Sequence, residues 1–167
     1  ALRSRGHEVR CALSRSAESF VTPLTLEVLT GHSVHGPNPV ARTGSGEEAH
    51  LEVASWANVA CVAPATANTL AQLAAGIADD FLTAALLAFE GPVVLAPAMH
   101  SKMWEQRSTR RVRETLVSDG MQLVGPIVGP LASGEVGIGR MVEIEDLVAA
   151  IESAGSPKRL LNRRVLV

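Results

Sequence analysis

The sequence predicts a doubly wound parallel α/β sheet with helices on both faces. Three observations carry that expectation. Short apolar runs of strand character alternate with segments of helical periodicity. Hydrophobic residues make up 47% of the chain and aromatics only 3%, which favours Ala/Val/Leu packing on a parallel sheet over an aromatic-rich sandwich. Two strand-like runs, Val59-Ala60-Cys61-Val62-Ala63 and Val93-Val94-Leu95-Ala96, lead directly into Pro-led loops of small residues that open helices. In an open parallel sheet such loops lie at the carboxyl ends of the strands, where ligands bind. At 167 residues the chain is long enough for one domain with a proper core.

Composition excludes several classes. The net charge is −2 and no basic cluster suggests nucleic acid. No apolar run reaches membrane-spanning length, and no secretory signal is visible, so the expectation is a cytoplasmic protein without a membrane partner. The five His and two Cys show no ligand spacing, so no metal is expected. Cys11 and Cys61 both sit in strand-like runs and read as buried thiols, not a disulfide.

Taken in order, residues 1–8 read as the end of a helix capped by Gly6, and Val9 to Leu13 as a strand. Ser14 or Ser16 caps a helix start with Glu18 in its first turn. Thr22-Pro23 opens a short helix with Leu24, Val28 and Leu29 as its apolar face and Gly31 as its stop. Residues 32–47 are Gly/Pro/Asn/Ser-rich and read as a long functional loop. After the strand at 59–63, Leu70, Leu73, Ala74 and Ile77 mark one face of a helix interrupted at Gly76. Asp79-Asp80 restarts a helix to about Glu90, and both aspartates read as capping chemistry. Arg107 to Asp119 is helical, with Val112 and Leu116 inward, Arg110, Arg111 and Arg113 on a solvated positive face, and Gly120 as the stop. Gln122-Leu123-Val124 is a strand, 125–139 a Gly/Pro-rich stretch, and Glu143 to Ser153 a helix with Ile144, Leu147, Val148 and Ile151 on one face. Lys158 to Arg164 is polar linker, and Val165-Leu166-Val167 a strand cut short.

The two Pro-led loops carry a family resemblance. Pro64-Ala65-Thr66-Ala67-Asn68-Thr69 resembles the PASANT motif of the homo-oligomeric flavin-containing cysteine decarboxylases, with Thr66 in the Ser position. Pro97-Ala98-Met99-His100-Ser101-Lys102-Met103-Trp104 resembles that family's PxMNxxMW motif. Residues 75–80 and 131–141 also resemble family segments, and the similarity runs from about residue 1 to 152. Within the family the resemblance points to the phosphopantothenoylcysteine decarboxylases, one half of a bifunctional coenzyme A biosynthesis protein. It implies a flavodoxin-like, Rossmann-type three-layer α/β/α domain over residues 1–153 whose first strand and Gly-rich turn would precede Ala1. Residues 154–167 would be the linker and the start of a truncated C-terminal synthetase domain.

The resemblance also implies the chemistry: FMN-dependent decarboxylation of 4′-phospho-N-pantothenoylcysteine to 4′-phosphopantetheine, with no net redox change. Its partners would be that small-molecule substrate, the synthetase domain, and further copies of the chain in a homotrimer or dodecamer. His50 matches the family's active-site His, a base or thiolate partner; a solvated His at a loop edge is the plainer reading. Ser14, Phe20, Pro64, Ala65, Thr66, Asn68, Thr69 and Ala98 match flavin-facing positions. For Ser14, and for Asn68 and Thr69, helix capping is the competing role. His100, Met103, Ala132 and Ser133 match substrate-facing positions, with core packing the alternative for Met103. The run from Gly134 to Gly139 suits a mobile flap, or else a surface hairpin turn.

Two departures bear on the reaction. His100 stands where the family has an Asn that hydrogen-bonds the substrate carboxylate; a neutral His can donate in its place. Ser133 stands where the reductive members carry a Cys, and a hydroxyl is a far weaker acid than a thiol. The catalytic set is therefore His50, His100 and Ser133, with His100 or water as the replacement proton donor. The alternatives are an oxidative decarboxylase of a cysteine-ended peptide that stops at the enethiol, and a non-catalytic flavin-binding regulatory subunit. A nicotinamide-binding domain is disfavoured because no G-x-G-x-x-G follows a strand. The second motif argues against a prenyl-flavin synthase.

Overall fold

The computed structural model describes residues 1–38, 48–155 and 164–166. The five-stranded sheet is parallel throughout, in the order β1 (Glu8–Arg10), β7 (Arg164–Leu166), β2 (Val59–Ala65), β3 (Val93–Pro97), β4 (Gln122–Leu123). The helices are α1 (Pro23–Thr30), α2 (Ala49–Trp56), α3 (Ala67–Ala74), α4 (Phe81–Ala88), α5 (Ser101–Trp104), α6 (Arg107–Ser118) and α7 (Ile144–Ala154). An antiparallel hairpin, β5 (Ile127–Pro130) and β6 (Val136–Arg140), stands apart from the sheet.

Period-two alternation in β2 and β3 builds the layers. Ala60, Val62, Val93 and Leu95 face one side and pack with Val53, Leu70, Phe81, Leu86 and Leu116 from α2, α3, α4 and α6. Val59, Cys61, Val94 and Ala96 face the other and meet Leu147 and Ile151 of α7. Both faces are covered, which is why these strands read as unbroken apolar runs. This is the doubly wound α/β fold that the alternation of elements predicts.

Several local expectations hold. Gly6, Gly31 and Gly120 all take left-handed φ at helix or turn ends, and Thr30 precedes its cap with the hydroxyl donating to Leu26 O at 2.8 Å. Cys11 and Cys61 are free and buried. Asp80 caps α4 in a reciprocal box with Thr83.

Others are corrected. The helix α3 ends at Ala74, so Ile77 falls outside it and stays 45% exposed; the left-handed Gly76 turns the chain away before another helical turn can bury it. Leu24, Val28 and Leu29 of α1 face outward, at 67%, 74% and 63% exposure. The strand expected over 9–13 pairs in the sheet only to Arg10, after which Leu13 N–H donates to His35 O and His35 N–H to Cys11 O. Arg113 leaves the solvated face: its guanidinium lies 4.0 Å over the Trp104 ring. Within the Gly/Pro-rich stretch, Ile127 to Arg140 forms a hairpin in the Ile127–Arg140 to Pro130–Val136 register, in keeping with the hairpin reading of Gly134 to Gly139. Residues 39–47 of the long loop and 156–163 of the linker lie outside the described residues.

Candidate functional site

A cleft of about 490 Å³ opens at the carboxyl ends of β1 and β2, within the roughly 300–1,000 Å³ range of small-molecule and cofactor sites. Ser14, Phe20, Pro64, Thr66, Asn68 and Thr69 all line it. Its floor is Cys61 to Ala63, small residues that let a planar ligand approach the backbone. Phe20 stands 91% exposed at its edge. Ala65 is fully buried; its carbonyl accepts the Ala98 N–H at 3.0 Å, so these two residues tie the first junction to the second.

The helix start is set by Thr66. Its side chain accepts the Thr69 N–H at 3.2 Å, and α3 begins at Ala67. Asn68 and Thr69 therefore lie inside the first turn, where sequence reasoning had made them candidate caps. First-turn N–H groups without an intrahelical acceptor face the open end of the helix, an arrangement that suits an anion or a polar ring edge.

The second junction carries His100. Its Nδ1 accepts the Lys102 N–H at 3.1 Å, which caps α5. A ring nitrogen that accepts carries no proton, so the ring proton sits on Nε2, and Nε2 donates to the Glu135 carboxylate at 3.1 Å. Glu135 belongs to the turn between β5 and β6, which also holds Ala132 and Ser133, both exposed. The base of that hairpin is fixed: Met99 N–H donates to Gly139 O at 2.9 Å. A Cβ on Gly139 would fall on the Met99 carbonyl oxygen, and one on Gly137 on the Ser101 hydroxyl. Met103 is 48% exposed beside this loop, which removes core packing as its role.

His50 lies apart from both, on the first turn of α2, and is not among the residues lining the cleft. Its Nε2 stands 3.3 Å from Glu48 Oε2, and its buried Nδ1 has no partner among the described residues. The described chain thus gathers six cofactor-facing candidates in one cleft and His100, Met103, Ala132 and Ser133 around the hairpin, and leaves His50 on its own. Among the described residues no group of His, Cys, Asp and Glu could hold a metal ion. Burial pushes the thiol of Cys61, which lines the cleft, up to about 12 and that of Cys11 up to about 11, so neither cysteine is a nucleophile.

Sequence reasoning misses Gln72 and Glu135, and reads Asp79 as a cap although Asp80 is the residue that caps α4. Asn68 Nδ2 donates to Gln72 Oε1 at 3.0 Å, and Gln72 Nε2 donates to Asp79 Oδ1 at 2.9 Å. The carboxylate can only accept, so this chain fixes both amides and leaves Asn68 Oδ1 outside it. The i,i+4 spacing of Asn68 and Gln72 was a readable signal. Glu135 had none, being one acid in a Gly-rich run.

The fold and cleft define a flavodoxin-like α/β domain with a cofactor-sized site at its strand ends. The Flavoprotein family model matches residues 1–155, and the chain belongs to that family. It is 39% identical over 168 residues to the coenzyme A biosynthesis bifunctional protein CoaBC of Vibrio vulnificus, covering 99% of this chain and 41% of the relative. The chain thus spans about two fifths of the length of the curated relatives it matches. Among solved structures, it is similar to a PPC decarboxylase mutant complexed with pantothenoylaminoethenethiol, with a TM-score of 0.77, 30% identity, and 89% and 83% of the two chains covered. It is also similar to the FMN-dependent cysteine decarboxylase SpaF, with a TM-score of 0.72, 33% identity, and coverage of 85% and 76%.

Proposed function

We propose that this chain is the FMN-dependent decarboxylase part of a bifunctional coenzyme A biosynthesis protein, converting 4′-phospho-N-pantothenoylcysteine to 4′-phosphopantetheine. The observation that carries this reading is the pairing of two motif loops at adjacent parallel strand tips. One lines a cofactor-sized cleft and the other presents a neutral imidazole donor under a hairpin. The similarity to CoaBC and to a PPC decarboxylase supports it.

The residues fit FMN: small cleft-floor side chains, a Thr-capped helix start, and an Asn whose carbonyl is left for a ligand N–H. Bound there, FMN supplies reversible hydride chemistry at the cysteine Cβ, which makes the neighbouring carboxylate a leaving group. His50 takes the thiol proton, as an imidazole near neutral pH can. His100 holds the carboxylate through Nε2–H. As a neutral donor it orients that group without over-stabilising a charge that must leave. The hairpin excludes water, and its Ser133 approaches the reacting carbons without the acidity of a thiol. Water then returns the final proton, because a neutral His100 that gave up its Nε2 proton would be left as an imidazolate.

His50 reaches the site by assembly. The outward apolar residues of α1 and the exposed Phe20 are covered in a homotrimer or dodecamer, which sets His50 of one copy against the cleft of the next. The remaining length of the relatives corresponds to a C-terminal synthetase domain, with residues 154–167 as its approach. No described helix is long and apolar enough to cross a membrane, and we place the protein in the cytoplasm. Ser133 favours a second reading, an oxidative decarboxylase that releases the enethiol. The test of flavin binding and activity together is titration of full-length protein with FMN, followed by carboxyl-labelled substrate. Quenched flavin fluorescence and released label support the reading; a protein indifferent to FMN contradicts it.

A further inference from the structure

The contact between His100 and Glu135 is not explained by the roles given so far. His100 Nε2–H is the one ring donor left after Nδ1 has accepted from Lys102, and it points at a carboxylate of the protein itself. Glu135 is otherwise bound only loosely: its side chain is 62% exposed, and its carbonyl accepts the Leu131 N–H at 2.8 Å within the turn. The hairpin has a fixed base and an exposed tip. Gly137 and Gly139 lock the base against Ser101 and Met99. Among the described contacts, the Glu135 carboxylate is what joins the tip to the loop after β3.

We propose that Glu135 is the chain's own stand-in for the substrate carboxylate. In the free site it occupies the His100 Nε2–H, and an entering acid displaces it, exchanging one carboxylate for another of the same charge on the same donor. When CO₂ leaves, the product has no carboxylate to hold that donor, and Glu135 returns. The exchange makes the site respond to the presence of the carboxylate, and so distinguishes the acid from its decarboxylated product. This rests on the proposed decarboxylase function.

A carboxylate that competes for the donor lowers the apparent affinity of every ligand that needs it, by the fraction of sites in which the donor is free. For a hydrogen bond to a carboxylate as exposed as this one, where water competes for both groups, that factor is at most about fivefold. The experiment uses FMN-loaded full-length protein in the His50→Asn background, so that ligands bind without turnover. Calorimetry measures binding of phosphopantothenoylcysteine and of phosphopantetheine to the parent, to Glu135→Gln and to Glu135→Ala. The expected result is that both substitutions tighten the acid about two- to fivefold and leave the decarboxylated thiol unchanged. With His50 restored, the same substitutions lower KM for the acid by that factor. A role for Glu135 in merely orienting His100 would weaken acid binding. A role in supporting the hairpin would shift both ligands alike. Either result, or unchanged acid affinity, overturns the proposal. Glu135 substitutions that tighten the acid alone, beside a wild-type protein that releases no CO₂, would remove the decarboxylase function and leave the carboxylate exchange standing.

Discussion

Gly139→Ala tests whether the hairpin is held to the loop after β3 through its base. The glycine has φ +153°, and its carbonyl accepts the Met99 N–H at 2.9 Å. An added Cβ falls on the Met99 carbonyl oxygen, a backbone atom that cannot swing aside. Keeping the native contact would cost about 1–3 kcal/mol of overpacking. The unfavourable φ adds about 1–3 kcal/mol. Detaching the hairpin is cheaper: it gives up one backbone hydrogen bond and the exposed His100–Glu135 hydrogen bond, about 0.7–2.5 kcal/mol together. The variant should therefore let go of the loop and keep its sheet. Thermal unfolding should drop by less than about 10 °C, at roughly 2–4 °C per kcal/mol for a domain of this size. FMN affinity should be unchanged, because the cleft lies at β1 and β2. Turnover should fall about 10²-fold, the usual consequence of a misplaced covering element. Hydrogen exchange localises the effect to 127–140. Native protection there together with full turnover would refute the reasoning.

Other outcomes follow from the same geometry. His50→Asn should keep FMN and abolish CO₂ release; undiminished turnover rejects His50 as the base. Thr66→Ala removes the α3 cap and should cost about 0.5–2 kcal/mol in denaturant unfolding, with weaker FMN binding by fluorescence. Asp79→Ala frees the Gln72 amide and should weaken FMN while leaving the melting curve within a few degrees; equal FMN affinity removes the relay from the cofactor site. Cys61 should resist thiol reagents in the native protein and react in urea. Burial raises its folded pKa from the ordinary thiol value of 9.0 to about 12, so the unfolded state loses the proton first. Stability present below pH about 9 should then be lost as pH rises toward about 12.

The layered sheet was legible because β2 and β3 are buried on both faces, which leaves uninterrupted apolar runs between helical periods. Helix ends at Gly31 and Gly120 were legible for a local reason, their left-handed φ. The cleft residues were found through motif resemblance at strand tips, where geometry and composition coincide. Ile77 was misplaced because spacing alone does not register the turn at Gly76. Arg113 was misread because a positive helix face looks the same whether it meets water or the Trp104 ring. The outward Leu24, Val28 and Leu29 show the limit of periodicity: it identifies an apolar face and not what covers it. Glu135 was invisible because its partner His100 is 35 residues away and joined to it only by tertiary structure.

The central claim is that two strand-tip loops bring a flavin and a carboxylate-holding imidazole to one cysteine moiety. The most direct measurement is the mass of the thiol formed when FMN-loaded full-length protein meets phosphopantothenoylcysteine. The account predicts phosphopantetheine with one CO₂ released per thiol; unaltered substrate beside a fully bound flavin would contradict it.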